Sequence, residues 1–131
     1  YRLVQKMDLG ERLVITGYVS DEDLVPLYQG AGIFVYPSVY EGFGLPVLEA
    51  MSAGVPVITS NRTSLPEVAG DAALLVNPLD LQEIYRAMET LWMKPSLRTE
   101  LRAKGIEQSR RFSWEKTARE TLDVYRAVAG S

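Results

Sequence analysis

A chain of 131 residues is one domain's worth and long enough to bury a hydrophobic core, and a composition 47% hydrophobic and 24% charged is that of a soluble globular protein. With neither cysteine nor histidine, disulfides, thiolate nucleophiles, Ser-His-Asp triads and Cys- or His-based metal sites are all excluded. The net charge of −3 offers no basic field to nucleic acid or an acidic membrane, no apolar run approaches the ~20 residues of a membrane span, and no signal peptide opens the chain.

In chain order, residues 1–9 read as the end of a helix stopped by Gly10, and the opening Tyr1 in place of a methionine implies residues upstream. Arg12-Leu13-Val14-Ile15-Thr16-Gly17 reads as a short buried strand closed by a glycine turn. Ser20 is a good N-cap for a helix to about Gln29, which Gly30 and Gly32 break. Ile33–Tyr36 forms a second strand, ending at Pro37. A loop with Gly42 and Gly44 leads into a helix over Leu45–Ala53, with Gly54 as its left-handed cap and Pro56 preventing its resumption. Val57–Thr59 is the third strand, Asn61–Ser64 a polar loop, Leu65–Ala69 a short helix and Ala72–Val76 the fourth strand.

Beyond Pro78 the pattern is helical. Asp80 and Glu83 open a helix whose apolar face runs through Leu81, Ile84, Tyr85, Met88, Leu91 and Trp92. Pro95 interrupts it. Ser96 begins another helix to roughly Arg111, and Ser113 caps a last one with Trp114, Ala118, Leu122, Tyr125 and Val128 on one side. Strands alternating with helices give an α/β class: a Rossmann-like parallel sheet with flanking helices, residues 1–78 the α/β portion and 79–131 C-terminal helices.

The organising stretch is Pro37-Ser38-Val39-Tyr40-Glu41-Gly42-Phe43-Gly44-Leu45-Pro46-Val47-Leu48-Glu49-Ala50-Met51. Strand, glycine loop and helix in that order is how α/β proteins bind phosphorylated ligands. Glycines allow close backbone approach, and Pro46 is tolerated in a first helical turn. Glu41 and Glu49 would repel phosphate, so they are placed to read hydroxyls beside it. Phosphates together with vicinal diols describe a nucleotide sugar.

At these residues the chain resembles the C-terminal, donor-binding half of a GT-B glycosyltransferase, closest to the retaining glycosyltransferase family 4 (glycosyl transferases group 1). The pattern Pro-Ser-x-x-Glu-Gly-Phe-Gly-Leu-Pro-x-x-Glu-Ala-Met-x-x-Gly-x-Pro-Val-Ile from Pro37 to Ile58 carries it; a bare Glu-x7-Glu would not. The resemblance implies that Glu41 is the catalytic residue, bonding the donor sugar's hydroxyls, and that Glu49 bonds the ribose. It implies that the backbone at Gly42, Phe43, Gly44, Leu45 and Pro46 approaches sugar and diphosphate. It implies transfer of a hexose, mannose or glucose, from GDP-mannose or UDP-glucose to a glycan or lipid acceptor, with retention. No cofactor and no metal is implied. The Asn61–Glu67 loop and its Leu-Pro-Glu-Val continuation favour GDP-mannose, by similarity to bacterial enzymes of polysaccharide assembly. The full-length enzyme would be cytoplasmic, or peripheral on the inner face of the membrane.

The resemblance also implies that this is an incomplete half. Two strands carrying a Gly-Arg and a following Lys for the pyrophosphate, and the N-terminal acceptor domain, have no counterpart here. The absent strands would lie between the first and second strands above, leaving a gap to be filled by an upstream segment or another chain. A non-catalytic nucleotide-sugar-binding module is the alternative from another class; an epimerase or a phosphorylase fits less well, lacking histidine and a suitable lysine.

Other features have plainer alternatives. In similar proteins the loop Gly17–Asp21 holds the base through the backbone at Val19, and Asp21 could bind a guanine edge; equally, Ser20 and Asp21 only cap a helix. Asp21-Glu22-Asp23 matches an Asp-x-Asp metal motif, but sits in a helical turn where acids are common. Arg62 reads as a solvated loop arginine, with contact to phosphate or acceptor the alternative. Trp92, Trp114 and Tyr125 read as packing residues rather than a sugar platform. Arg110-Arg111 is too short to argue for nucleic acid, and none is expected.

Overall fold

In the computed structural model, residues 6, 7 and 9–130 are described; the helix end expected within residues 1–9 lies almost wholly outside them. A 3-10 turn at Gly10–Arg12 precedes α1 (Asp21–Gly30), β1 (Phe34–Tyr36), α2 (Leu45–Ser52), β2 (Val57–Ser60), α3 (Leu65–Ala69), β3 (Ala73–Val76), α4 (Leu81–Met93), α5 (Pro95–Ser109) and α6 (Trp114–Ala129). The sheet is parallel with order β1-β2-β3, in a register that sets Val35 beside Ile58 and Ile58 beside Leu74.

Both faces of this sheet are covered, which is why its strands read as continuous apolar runs rather than as alternations. On one face Phe34, Tyr36, Val57 and Ala73 meet Val47, Ala50 and Met51 of α2 and Leu65, Val68 and Ala69 of α3. On the other, Val35, Ile58, Leu74 and Val76 meet Ile84, Ala87 and Leu91 of α4 and Leu97 and Leu101 of α5. The period of two in the strands sorts each side chain to its face. Further along α5, Gly105 lies against Met51, close enough that a Cβ there would stand 3.3–3.5 Å from Met51 atoms. Gln108 is buried beside it and donates to the Val68 carbonyl at 3.0 Å. That bond satisfies a polar group that would otherwise be costly to bury.

Caps explain most boundaries. Ser20 accepts from the Asp23 N–H, Asp80 from Gln82 and Glu83, and Ser113 from Lys116. Gly54, at φ +74, follows α2 as expected. Pro26 lies inside α1, where it removes one helical hydrogen bond without ending the helix.

Two expectations are corrected. Arg12–Gly17 is not a strand: only its 3-10 start is regular, and Leu13, Val14 and Ile15 are exposed. A strand exists only in a ladder, and the described sheet ends at β1, whose outer edge no described strand pairs with. Trp92, Trp114 and Tyr125 are 70%, 78% and 68% exposed, so they do not pack into the core. The apolar face of α6 buries no residue at all. No helix among the described residues is long and apolar enough to cross a membrane.

Candidate functional site

The glycine loop leaves the C-terminal end of β1, the sheet end where open α/β folds bind ligands. Pro37 stops the strand, and the chain enters α2 through Gly44, which is buried at φ +115, ψ 45. This glycine is required by the protein itself. A Cβ on Gly44 would stand 2.5 Å from Leu65 Cδ2, whereas one on Gly42 would meet nothing within 4 Å. A side chain on Gly42 would thus enter open space beside the loop.

At the start of α2, Pro46 has no N–H, and the amides of Val47 and Leu48 both donate to the Gly44 carbonyl, at 3.0 and 3.4 Å. The donors left over are the amides of Gly42, Phe43, Gly44 and Leu45, which have no hydrogen-bond partner among the described residues. Four consecutive unpaired N–H groups at a helix N-terminus form an anion-friendly edge. Of the residues expected to serve a diphosphate, Pro46 has no N–H to offer, whereas the preceding four have amides without a partner among the described residues.

Each carboxylate beside this edge is held by a tyrosine. The Tyr36 hydroxyl donates to Glu41 Oε1 at 2.6 Å, and the Tyr28 hydroxyl to Glu49 Oε2 at 3.1 Å. Tyr28 meets Phe34 edge-on at 5.3 Å, and Phe34 stacks on Tyr36 at 5.9 Å, so one aromatic row from α1 and β1 supports both acids. The Tyr36 hydrogen bond, helped by Ser38, holds the Glu41 carboxyl below the usual value, so Glu41 is ionised at neutral pH. Reciprocally, that bond, followed by burial, raises the Tyr36 phenol. Burial, then the bond to Glu49, pushes Tyr28 up to about 12. Both phenols remain neutral donors, and both carboxylates keep lone pairs for an incoming hydroxyl.

The loop is also held from behind. Glu41 N–H donates to Thr63 Oγ1 at 3.2 Å, and Phe43 meets Phe112 edge-on at 5.8 Å. Tyr28, Tyr36 and Phe112 were not singled out in the sequence, where Tyr36 is only the last residue of a strand and the tyrosines' contacts cross 21 and 5 residues; Thr63 lies in the Asn61–Glu67 loop, which follows the third strand at the sheet end expected to line the cleft. Phe34 and Tyr36 alternate onto one strand face, which is the single signal that could have placed Tyr36 near the loop.

Val19 and Asp21 precede and open α1. Asp21 opens α1 and Tyr28 lies seven residues on, about 10 Å along the helix axis. No hydrogen bond or ion pair among the described residues joins Val19 or Asp21 to the glycine loop. Asp23 takes part in the cap, receiving the Ser20 hydroxyl at 2.8 Å. Arg62 lies with Nη2 3.5 Å from Asn77 Oδ1, a solvated contact at the end of β3, and Glu67 sits in the first turn of α3.

Comparisons with known proteins place the chain in a family. The family model described as "Glycosyl transferases group 1" matches residues 1–112. The O-antigen chain mannosyltransferase B of Escherichia coli is 52% identical over 86% of this chain and 29% of its own length. An MMP alpha-(1->4)-mannosyltransferase of Mycolicibacterium hassiacum is 36% identical over 98% of this chain and 32% of its own. Among solved structures, sucrose-phosphate synthase of Thermosynechococcus elongatus superposes with a TM-score of 0.88 at 34% identity, covering 99% of this chain and 34% of that one. The chain thus spans about a third of the length of these relatives.

Proposed function

Because the chain belongs to the glycosyl transferases group 1 family, as the C-terminal part of a GT-B glycosyltransferase, we propose that it is the donor half of a retaining hexosyltransferase. The donor is a nucleoside-diphosphate sugar, GDP-mannose before UDP-glucose, and the acceptor a glycan or lipid. One observation carries this: four consecutive unpaired amides, Gly42 to Leu45, lie between two carboxylates that are each fixed by a tyrosine. The amides suit a diphosphate and the carboxylates suit hydroxyls on either side of it.

In the transition state the bond from the anomeric carbon to the diphosphate breaks, and negative charge collects on the leaving oxygens. Preformed donors aimed at that charge stabilise it without reorganising. Ionised Glu41 accepts hydrogen bonds from the sugar and orients it, while Glu49 binds the ribose diol. Val19 and Asp21, at the start of α1, are assigned to the base. This chemistry invokes no metal and no cofactor. The preference for mannose is supported by the Escherichia coli and Mycolicibacterium hassiacum relatives being mannosyltransferases.

The test is transfer by the natural full-length protein from GDP-mannose and from UDP-glucose to a saccharide acceptor, with the product's anomeric configuration read by NMR. A retained α-hexosyl product is expected, with Glu41→Gln slower by about two orders of magnitude, the loss of a charge-assisted contact in the transition state. An unaffected Glu41→Gln rate or an inverted product would overturn the proposal.

A further inference from the structure

The turn between β2 and α3 is moulded onto the glycine loop at three successive positions. Thr63 Oγ1 accepts from the Glu41 N–H at 3.2 Å. The Ser64 hydroxyl lies 2.8 Å from the Phe43 carbonyl and 3.1 Å from that of Glu41. Leu65, fully buried, fills the space that a side chain on Gly44 would need.

Two features show that this contact is held at a local cost. Thr63 has φ +54, and it is the one non-glycine with positive φ among the described residues. A β-branched residue is rarely found there, and such a conformation persists only where its surroundings impose it. Ser64 is the N-cap of α3 yet makes no side-chain cap hydrogen bond; its hydroxyl is turned to the loop carbonyls instead. Neither choice serves the turn or the short helix. Both serve the segment Glu41–Phe43.

We infer that Thr63 is a positioning residue for the sugar-binding glutamate: its strained backbone aims Oγ1 at the Glu41 amide and thereby fixes the direction in which the Glu41 side chain leaves the loop. Tyr36 restrains the carboxylate end of the same residue, so Glu41 is fixed at backbone and tip together. This rests on the donor reading above. It adds that the sugar contact is preformed by a turn that itself touches no reacting atom. A contact set before the donor arrives costs no reorganisation during transfer, so its loss falls on kcat rather than on nucleotide affinity.

The experiment uses the natural full-length protein and three variants. Thr63→Val keeps the shape and removes the acceptor, Thr63→Ser keeps the acceptor, and Thr63→Gly removes both the acceptor and the strain. Thr63→Val is expected to lower kcat about tenfold, the scale of one lost hydrogen bond, with nucleoside-diphosphate Kd unchanged within about twofold. Thr63→Ser should recover most of kcat. Thr63→Gly should match Thr63→Val in kcat while its thermal midpoint stays level or rises, because the strain is relieved. Wild-type kcat in Thr63→Val, or equal loss in Thr63→Ser and Thr63→Val, overturns the inference. Parallel loss of midpoint and kcat in Thr63→Gly also overturns it, since the residue would then be structural. Absence of both transfer and nucleotide binding in the wild type overturns the donor reading, and this inference with it.

Discussion

At the scale of single residues, the site consists of two acids whose ionisation and direction are set by phenols. Glu41 has a lowered carboxyl chiefly because the Tyr36 hydroxyl hydrogen-bonds its charged form. A lowered folded-state value means that its contribution to stability is present above the unfolded value and is lost as pH falls through the folded one. The contribution of Glu41 to donor binding should therefore hold from neutral pH down to the ordinary glutamate value of 4.5 and be lost only below it. In Tyr36→Phe the acid limb of a pH–affinity profile should move upward towards that ordinary value, because the bond that favoured the charged form is gone. An unmoved acid limb would show that the phenol does not tune this carboxylate. Glu41 and Glu49 were legible in the sequence because they recur within a long, specific string. Their phenolic partners were not: a tyrosine on a strand or helix face carries the same apolar signal whether or not its hydroxyl finds an acid.

At the scale of elements, the strand–loop–helix unit is built around one glycine. Gly44 takes a φ of +115 that other residues rarely adopt, and Leu65 from the next turn occupies the place of its Cβ. Gly44→Ala should cost about 2–3 kcal/mol of unfolding free energy, combining backbone strain with overpacking against a buried side chain. Gly42→Ala should leave unfolding unchanged. Equal denaturation midpoints for the two variants would contradict this division of roles. Pattern reading placed α1 to α6 and β1 to β3 well, because Pro37, Gly54, Pro56 and Pro95 punctuate the chain and serines or an aspartate cap the helices. It failed at Arg12–Gly17. A continuous apolar, β-branched run closed by a glycine suits a buried strand, but a strand also needs a neighbour to pair with, and that requirement is not written in the segment itself.

At the scale of the whole molecule, a parallel sheet with both faces covered holds the glycine loop rigidly at one end. The two core layers meet where α5 turns from Leu101 on one face to Gly105 and Met51 on the other. The same chain leaves an amphipathic α6 with no buried residue and an exposed Leu13–Ile15 run. Periodicity shows that a helix has an apolar side; it does not say whether this domain or another surface covers it, which is why Trp114 and Tyr125 were misread as packing residues. The central claim is that the Gly42–Leu45 edge and its two carboxylates bind a nucleoside diphosphate carrying a sugar. The most direct measurement is a calorimetric titration of the natural full-length protein with GDP and with UDP, in wild type and Glu49→Ala. One of the two nucleotides should bind at one per chain, and Glu49→Ala should weaken it by about 2 kcal/mol, roughly thirtyfold, for a charge-assisted hydrogen bond lost from the ribose. Equal affinity in both proteins, or binding of neither nucleotide, would contradict the claim.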